Sequence, residues 1–259
     1  MNTDLDREDV NLRTSTFQVD VKDGVFTSTA TITVTVTDRN DNEPRFTQQY
    51  YEATYPENVA STVELVRVTA TDIDENLNAL IVYSIETDPK NDSPDLFQIS
   101  STTGVITRKA NAELDYETQK KHQFKVVATD SGTLRQLSGY ATVVINLQDV
   151  NDNDPTFIKQ AYTINLKESH SLSEPLASMQ ATDADQAKDL TFFITSPAST
   201  PFQFVGKEMV LIRSLDYEQV QSYTLKVRAR DVGGRTSAAE ATVTVNVIEV
   251  NDNLSLIHI

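Results

Sequence analysis

The chain has 259 residues, a formal net charge of −16 and a sequence pI of about 4.5, with neither cysteine nor tryptophan. That charge argues against nucleic acid or an anionic membrane surface as partner and favours cations. Without cysteine there is no disulfide framework, thiolate metal site or cysteine nucleophile, so a module of this kind needs a hydrophobic core or a metal to hold it.

From the N-terminus, Met1-Asn-Thr-Asp-Leu-Asp-Arg7 is too polar for a signal peptide, and no apolar run reaches the roughly 20 residues of a membrane span. Two strands follow, Phe17–Asp23 and Thr29–Thr37. The second alternates strictly, setting Ala30, Ile32, Val34 and Val36 on one face and threonines on the other. Further strands are predicted at Tyr51–Tyr55, Thr62–Thr71, Leu80–Ile85, Phe97–Ile99, Val105–Ile106, Phe124–Asp130 and Tyr140–Leu147. The series then repeats at Tyr162–Lys167, Pro175–Thr182, Leu190–Ile194, Phe202–Phe204, Met209–Ile212, Leu225–Asp231 and Ala241–Ile248. Turns at Gly24, Ser131-Gly132 and Gly233-Gly234 make the last two strands of each series a hairpin. Seven short strands per module predict an all-β, tandem seven-stranded Greek-key β-sandwich of immunoglobulin-like architecture.

One phrase occurs three times, as Asp38-Arg-Asn-Asp-Asn42, Asp149-Val-Asn-Asp-Asn153 and Glu249-Val-Asn-Asp-Asn253. Its period is 111 residues and then 100, the size of a small sandwich domain. The first two copies run straight into x-Pro-x-Phe, at Glu43–Phe46 and Asp154–Phe157. This organisation predicts the C-terminal part of a truncated repeat at 1–42 and complete repeats at 43–153 and 154–253. The chain thus reads as a fragment of a longer protein. Residues 254–259 break the pattern, look like the translation of a sequencing-library adapter, and are set aside as a non-native tail. Ten of the eleven residues by which the two periods differ fall between Asp74 and Asp115, where 88–94 is a surface loop by composition. Two glycosylation sequons occur: one at Asn253 depends on the tail, and Asn91-Asp-Ser93 is followed by Pro94, a poor acceptor context.

Acidic signatures keep register with the phrase. An early Glu stands at Glu57 and Glu168, and Asp-x-Asp at Asp72/Asp74 and Asp183/Asp185. Asp-x-Glu stands at Asp6/Glu8, Asp115/Glu117 and Asp216/Glu218, and a strand-end Asp at Asp23, Asp130 and Asp231. Solvated surface charge has no reason to recur in order. Calcium needs six to eight hard oxygens, and Asp-x-Asp on extended backbone aims two carboxylates to one side. An EF-hand does not fit, because neither joint has the Asp-x-Asp-x-Asp-Gly spacing. Paired carboxylates could also serve a glycosidase, yet an active site seldom occurs twice in one chain, and His122, His170 and His258 fall in unrelated contexts. The chain is therefore read as non-enzymatic.

These signatures, in this order, resemble extracellular cadherin repeats over nearly all of residues 1–253. The resemblance implies three calcium ions at each complete joint between repeats. The joint at 149–153 would use Glu57, Asp115, Glu117, Asp149, Asn151, Asp152, Asn153, Asp183, Asp185 and Asp231. The joint at 38–42 would use Asp6, Glu8, Asp38, Asn40, Asp41, Asn42, Asp72, Asp74 and Asp130, without an early Glu. A half-site would hold Glu168, Asp216, Glu218, Glu249, Asn251, Asp252 and Asn253, with Glu249 in place of the usual Asp, while Asp23 is orphaned. The 149–153 joint gathers eight carboxylates, a charge of −8 that three divalent ions reduce to −2. Extracellular modules bind calcium at about 10⁻⁴–10⁻³ M, which matches an extracellular setting. The resemblance further implies calcium-dependent cell–cell adhesion, homophilic or heterophilic, with cadherin-family ectodomains of the same or another kind as partners. It also implies the extracellular portion of a single-pass plasma-membrane protein, although the chain carries no span. A signalling receptor or mechanical tether, with its contact surface elsewhere, is the alternative.

Overall fold

The computed structural model describes residues 5–87, 93–186 and 189–251; the tail 254–259, Asp252, Asn253 and the sequon at Asn91 lie outside them. The chain divides into two compact units between Gln148 and Asp149.

The first unit opens with a hairpin of β1 (Thr14–Lys22) and β2 (Thr27–Thr35). Phe17 pairs with Ile32 and Val19 with Ala30, so the apolar residues of both strands share one face. That face is exposed, Phe17 by 48% and Ile32 by 42%, because no second sheet covers it among the described residues. The predicted alternation is present, but burial does not follow from it here.

A sandwich follows, built from β3 (Arg45–Phe46), β4 (Tyr50–Pro56), β5 (Val66–Arg67), β6 (Ala70–Thr71), β7 (Val82–Ile85), α1 (Ser93–Leu96), β8 (Phe97–Ile99), β9 (Val105–Arg108), β10 (Lys121–Thr129) and β11 (Ser138–Gln148). One sheet has the order β4-β11-β10-β7, with β4 parallel to β11, and the other has the order β5-β9-β8. The second unit repeats this with β12 (Thr156–Phe157), β13 (Ala161–Lys167), β14 (Pro175–Ser178), β15 (Ala181–Thr182), β16 (Thr191–Ser196), β17 (Phe202–Val205), β18 (Glu208–Leu211), β19 (Ser222–Arg230) and β20 (Ala241–Ile248). Its sheets run β13-β20-β19-β16 and β14-β18-β17. When the broken first and second strands are each counted once, both sandwiches have seven strands among the described residues.

Those breaks depart from the continuous strands predicted at Thr62–Thr71 and Pro175–Thr182. β5 pairs with β9 whereas β6 pairs with β3, so the chain turns between them to change partner. In the second unit the pairing of β14 shifts between Pro175 and Ala177, where proline has no N–H to give the ladder. Residues 88–92 of the predicted loop lie outside the described residues; Ser93 opens the short helix α1, whose Leu96 packs on the core.

Alternation explains the cores. Along β10, Phe124, Val126 and Ala128 are buried while Gln123 and Lys125 are exposed, and β19 does the same with Leu225, Val227 and Ala229. Phe97 stacks on Phe124 at 5.3 Å, and Phe202 meets Tyr223 edge-on at 5.3 Å. Each large side chain so buried contributes about 1.5–3 kcal/mol. The Phe of each x-Pro-x-Phe plugs the end of its sandwich: Phe46 lies 6.2 Å from Tyr83, and Phe157 lies 5.8 Å from Phe192. Four residues before each plug sits the last Asn of the acidic phrase, so the plug fixes where that phrase begins its sandwich.

Candidate metal centres at the sandwich ends

At the upstream end of each sandwich, the linker is tied to the Asp-x-Asp turn. The Asn42 side-chain amide donates to Asp74 Oδ1 at 2.7 Å and to Asp41 Oδ1 at 3.0 Å. In the second unit, Asn153 Nδ2 donates to Asp185 Oδ1 at 2.8 Å and to Asp152 Oδ1 at 2.9 Å. Within each turn the second Asp donates its backbone N–H to the first, Asp74 to Asp72 at 3.0 Å and Asp185 to Asp183 at 3.1 Å. Asp38 accepts from Asn78 Nδ2 at 2.8 Å, and Asp149 accepts from the Gln186 N–H at 3.0 Å. Both units carry one local architecture.

The strand-end residues are deeply placed. Asp130, 1% exposed, accepts from the Gly132 and Leu137 amides at 3.0 and 2.9 Å, and Asp231, 5% exposed, accepts from the Arg235 amide at 2.9 Å. Carboxylate oxygens of Asp183, Asp185 and Asp231 lie within 4.8 Å of one another, as do those of Glu8, Asp38 and Asp74. Asp23, which ends β1's module position, caps the hairpin turn instead, accepting from the Val25 and Phe26 amides at 3.0 and 2.7 Å.

At the downstream end the buried early Glu gathers the Asp-x-Glu pair. Glu57 accepts from the Tyr116 amide, and Glu168 accepts from the Tyr217 amide at 2.7 Å and the Val250 amide at 2.6 Å. Oxygens of Glu57, Asp115 and Glu117 fall within 4.8 Å of one another, and so do those of Glu168, Asp216 and Glu218. The aspartates are oriented from outside the cluster, Asp115 by the Thr118 hydroxyl at 2.7 Å and Asp216 by Gln219 Nε2 at 2.6 Å. Glu249 and Asn251 are exposed.

What these oxygens lack is as informative. Glu8 Oε1, Asn40 Oδ1 and Asp72 Oδ2 in the first unit are buried with no hydrogen-bond partner among the described residues. So are Asp149 Oδ1, Asn151 Oδ1, Asp183 Oδ2 and Asp231 Oδ2 in the second. A buried acceptor left unmet costs about 1–3 kcal/mol, and more when it carries charge. Burial drives the Asp72 carboxyl above its ordinary range, with Asp74 and Asp130 adding repulsion, and Asp183 rises likewise beside Asp185 and Asp231. Burial raises Glu8 as well, while the hydrogen bond with Glu8 lowers Asp6. The donor set is entirely oxygen, mostly anionic and desolvated. It suits a hard divalent cation.

Two site residues escape any reading of acidic pattern. A Cβ on Gly132 would collide with the Asn40 side-chain amide, and one on Gly233 with that of Asn151. In the sequence both appear only as turn glycines; the spatial approach of the linker Asn leaves no one-dimensional trace.

The cadherin domain model matches residues 51–148 and 162–248, more than half of the chain. The chain belongs to the cadherin family. Human Protocadherin-1 is 35% identical to this cadherin chain over 238 residues, covering 91% of it and 22% of the relative. Human Protocadherin alpha-2 is 34% identical over 232 residues, covering 88% and 24%. The cadherin chain thus spans about a quarter of the length of these relatives. Among solved structures, mouse Protocadherin-24 EC1-3 superposes with a TM-score of 0.83 at 26% identity, covering 95% of this chain and 82% of that one.

Proposed function

We propose that this chain is a calcium-stiffened stretch of an adhesion ectodomain, in which Glu57, Asp115 and Glu117 of the first unit and Asp149, Asn151, Asp152, Asn153, Asp183, Asp185 and Asp231 of the second are the two halves of one three-ion joint. The observation that carries this reading is the set of buried, partnerless oxygens at the positions the acidic signatures single out, repeated in both units. Cadherin domains bind calcium, and these oxygens fit that ion: short Asp and Asn side chains for close approach, and Glu for bidentate or bridging contact.

The chain's own residues define the mechanism. Eight carboxylates at the 149–153 joint repel one another across a short linker. Calcium, when bound, would supply the compensating charge, and the residues of both flanking repeats would hold it as one set of ligands. Calcium at about 10⁻⁴–10⁻³ M, an extracellular level, would hold the stretch straight and a cytosolic level would release it. Asp6, Glu8, Asp38, Asn40, Asp41, Asn42, Asp72, Asp74 and Asp130 would form the 38–42 joint, and Glu168, Asp216, Glu218, Glu249, Asn251, Asp252 and Asn253 a third half-site. The setting is the extracellular part of a membrane protein, its partners other cadherin ectodomains of the same or another kind; no helix among the described residues is long and apolar enough to cross a membrane. An adhesion family gives no support to an enzymatic reading.

Limited proteolysis tests the joint. Cleavage near Val150–Asp154 rises sharply on chelation, and Asp152→Ala reproduces that cleavage in the presence of calcium. Equal protection with and without calcium refutes the reading.

A further inference from the structure

The 38–42 joint carries charged contacts that its acidic signatures do not account for. Arg7, the middle residue of Asp6-Arg7-Glu8, donates from Nη2 to Glu75 Oε2 at 2.9 Å. Arg13 reaches the other oxygen, with Nη1 3.4 Å from Glu75 Oε1. One carboxylate is thereby clasped by two guanidinium groups from the segment ahead of β1. The clasp is braced on both sides. Arg13 Nε donates to the Arg7 carbonyl at 3.0 Å, and the Glu75 backbone N–H points at Asp38 Oδ1 at 3.3 Å. The three side chains are partly buried, at 22% exposure for Arg7, 37% for Arg13 and 29% for Glu75. Partial shielding and a shared carboxylate set this network apart from an isolated surface pair.

Glu75 directly follows the Asp72-x-Asp74 turn, so it is fixed to the downstream side of the joint, while Arg7 and Arg13 lie upstream of the Asp38–Asn42 linker. At the positions matching Arg7, Arg13 and Glu75, the 149–153 joint has Tyr116, Lys120 and Gln186; Arg13 and Lys120 each stand one residue ahead of their strand, β1 and β10, and their carbonyls accept from the Val36 and Leu147 amides at 2.9 Å. Lys120 lies over the Tyr116 ring, 4.8 Å from its centroid, and with Gln186 in place of Glu75 that trio holds no carboxylate to clasp.

We propose that Arg7, Arg13 and Glu75 form a metal-independent ionic clasp across the 38–42 joint, so that on calcium loss this joint stays partly ordered while the 149–153 joint opens. The two joints then differ in calcium response despite nearly identical acidic signatures. Calcium fills the acidic cluster; the clasp sits beside it and draws on opposite charges already present. This rests on the calcium-joint reading above, and deepens it by assigning the joints an order of release.

Hydrogen exchange on the whole 259-residue chain tests it, with rates corrected for sequence. In chelator at low salt, amides of 38–42 exchange about three- to tenfold more slowly than those of 149–153, the range such ion pairs support. Glu75→Gln abolishes that margin, as does salt at about 0.5 M, which shortens the screening length. Arg13→Gln removes part of it. Equal exchange of the two linkers in chelator overturns the clasp, as does a margin that survives both Glu75→Gln and high salt. Calcium slows exchange at 149–153 in the wild type and in each variant. If it does not, the calcium reading falls, and this outcome is separate from the salt series.

Discussion

The side-chain amide of Asn151 occupies the space that a Cβ on Gly233 would need, and Asn40 stands in the same relation to Gly132. The oxygen of each amide is buried without a partner among the described residues, so each glycine makes room for a candidate ligand. Gly233→Ala displaces Asn151, and calcium affinity at that site falls about tenfold or more, as loss of a supporting contact does in metal sites. Titration calorimetry reads this directly, and an unchanged affinity would show that Asn151 is not a ligand.

Asp72 offers a test whose sign is opposite in the two metal states. Burial holds its carboxyl above the ordinary range, so in metal-free protein folding disfavours its charged form relative to the unfolded chain. Its favourable contribution is complete below the ordinary range and is lost as pH rises through the raised value. At neutral pH it is a penalty that calcium relieves. Asp72→Asn therefore raises the melting temperature of the first unit in chelator at neutral pH and reduces the gain that calcium brings. A variant less stable than wild type in chelator would contradict this.

Glu168 has a structural task apart from metal. Its two oxygens accept from the Val250 and Tyr217 amides at 2.6 and 2.7 Å. Glu168→Ala leaves both donors without that acceptor and costs about 1–3 kcal/mol even in chelator. Urea denaturation followed on the second unit provides the measurement, and no loss would mean that water serves those amides equally well.

Leu225 is fully buried at the centre of the second sandwich. Leu225→Ala removes about 2–5 kcal/mol from that unit alone. Calorimetry in chelator shows one transition lowered and the other unmoved; two transitions shifting together would show that the units fold as one.

Strict alternation made the long strands legible, because residues such as Val243, Val245 and Val247 need only a pleat and a covered face to be buried. The acidic positions were legible because they recur in register. Less was written about changes of partner: nothing in Thr62–Thr71 announces that β5 serves β9 while β6 serves β3. Period alone does not set burial: Phe17 and Ile32 alternate as predicted, yet no sheet covers them among the described residues. The clasp of Glu75 was invisible for a related reason. Its partners lie 68 and 62 positions away, and a single charged residue after an Asp-x-Asp turn carries no pattern.

The parallel pairing of first and last strands has a mechanical meaning. In each sandwich the chain arrives at the start of one strand and leaves from the end of its neighbour, β4 beside β11 and β13 beside β20, each through seven paired positions. Tension along the chain pulls these neighbours in opposite directions along their length. The ladder is loaded in shear, every rung at once, rather than peeled one rung at a time. A module wired this way yields late and abruptly under pull.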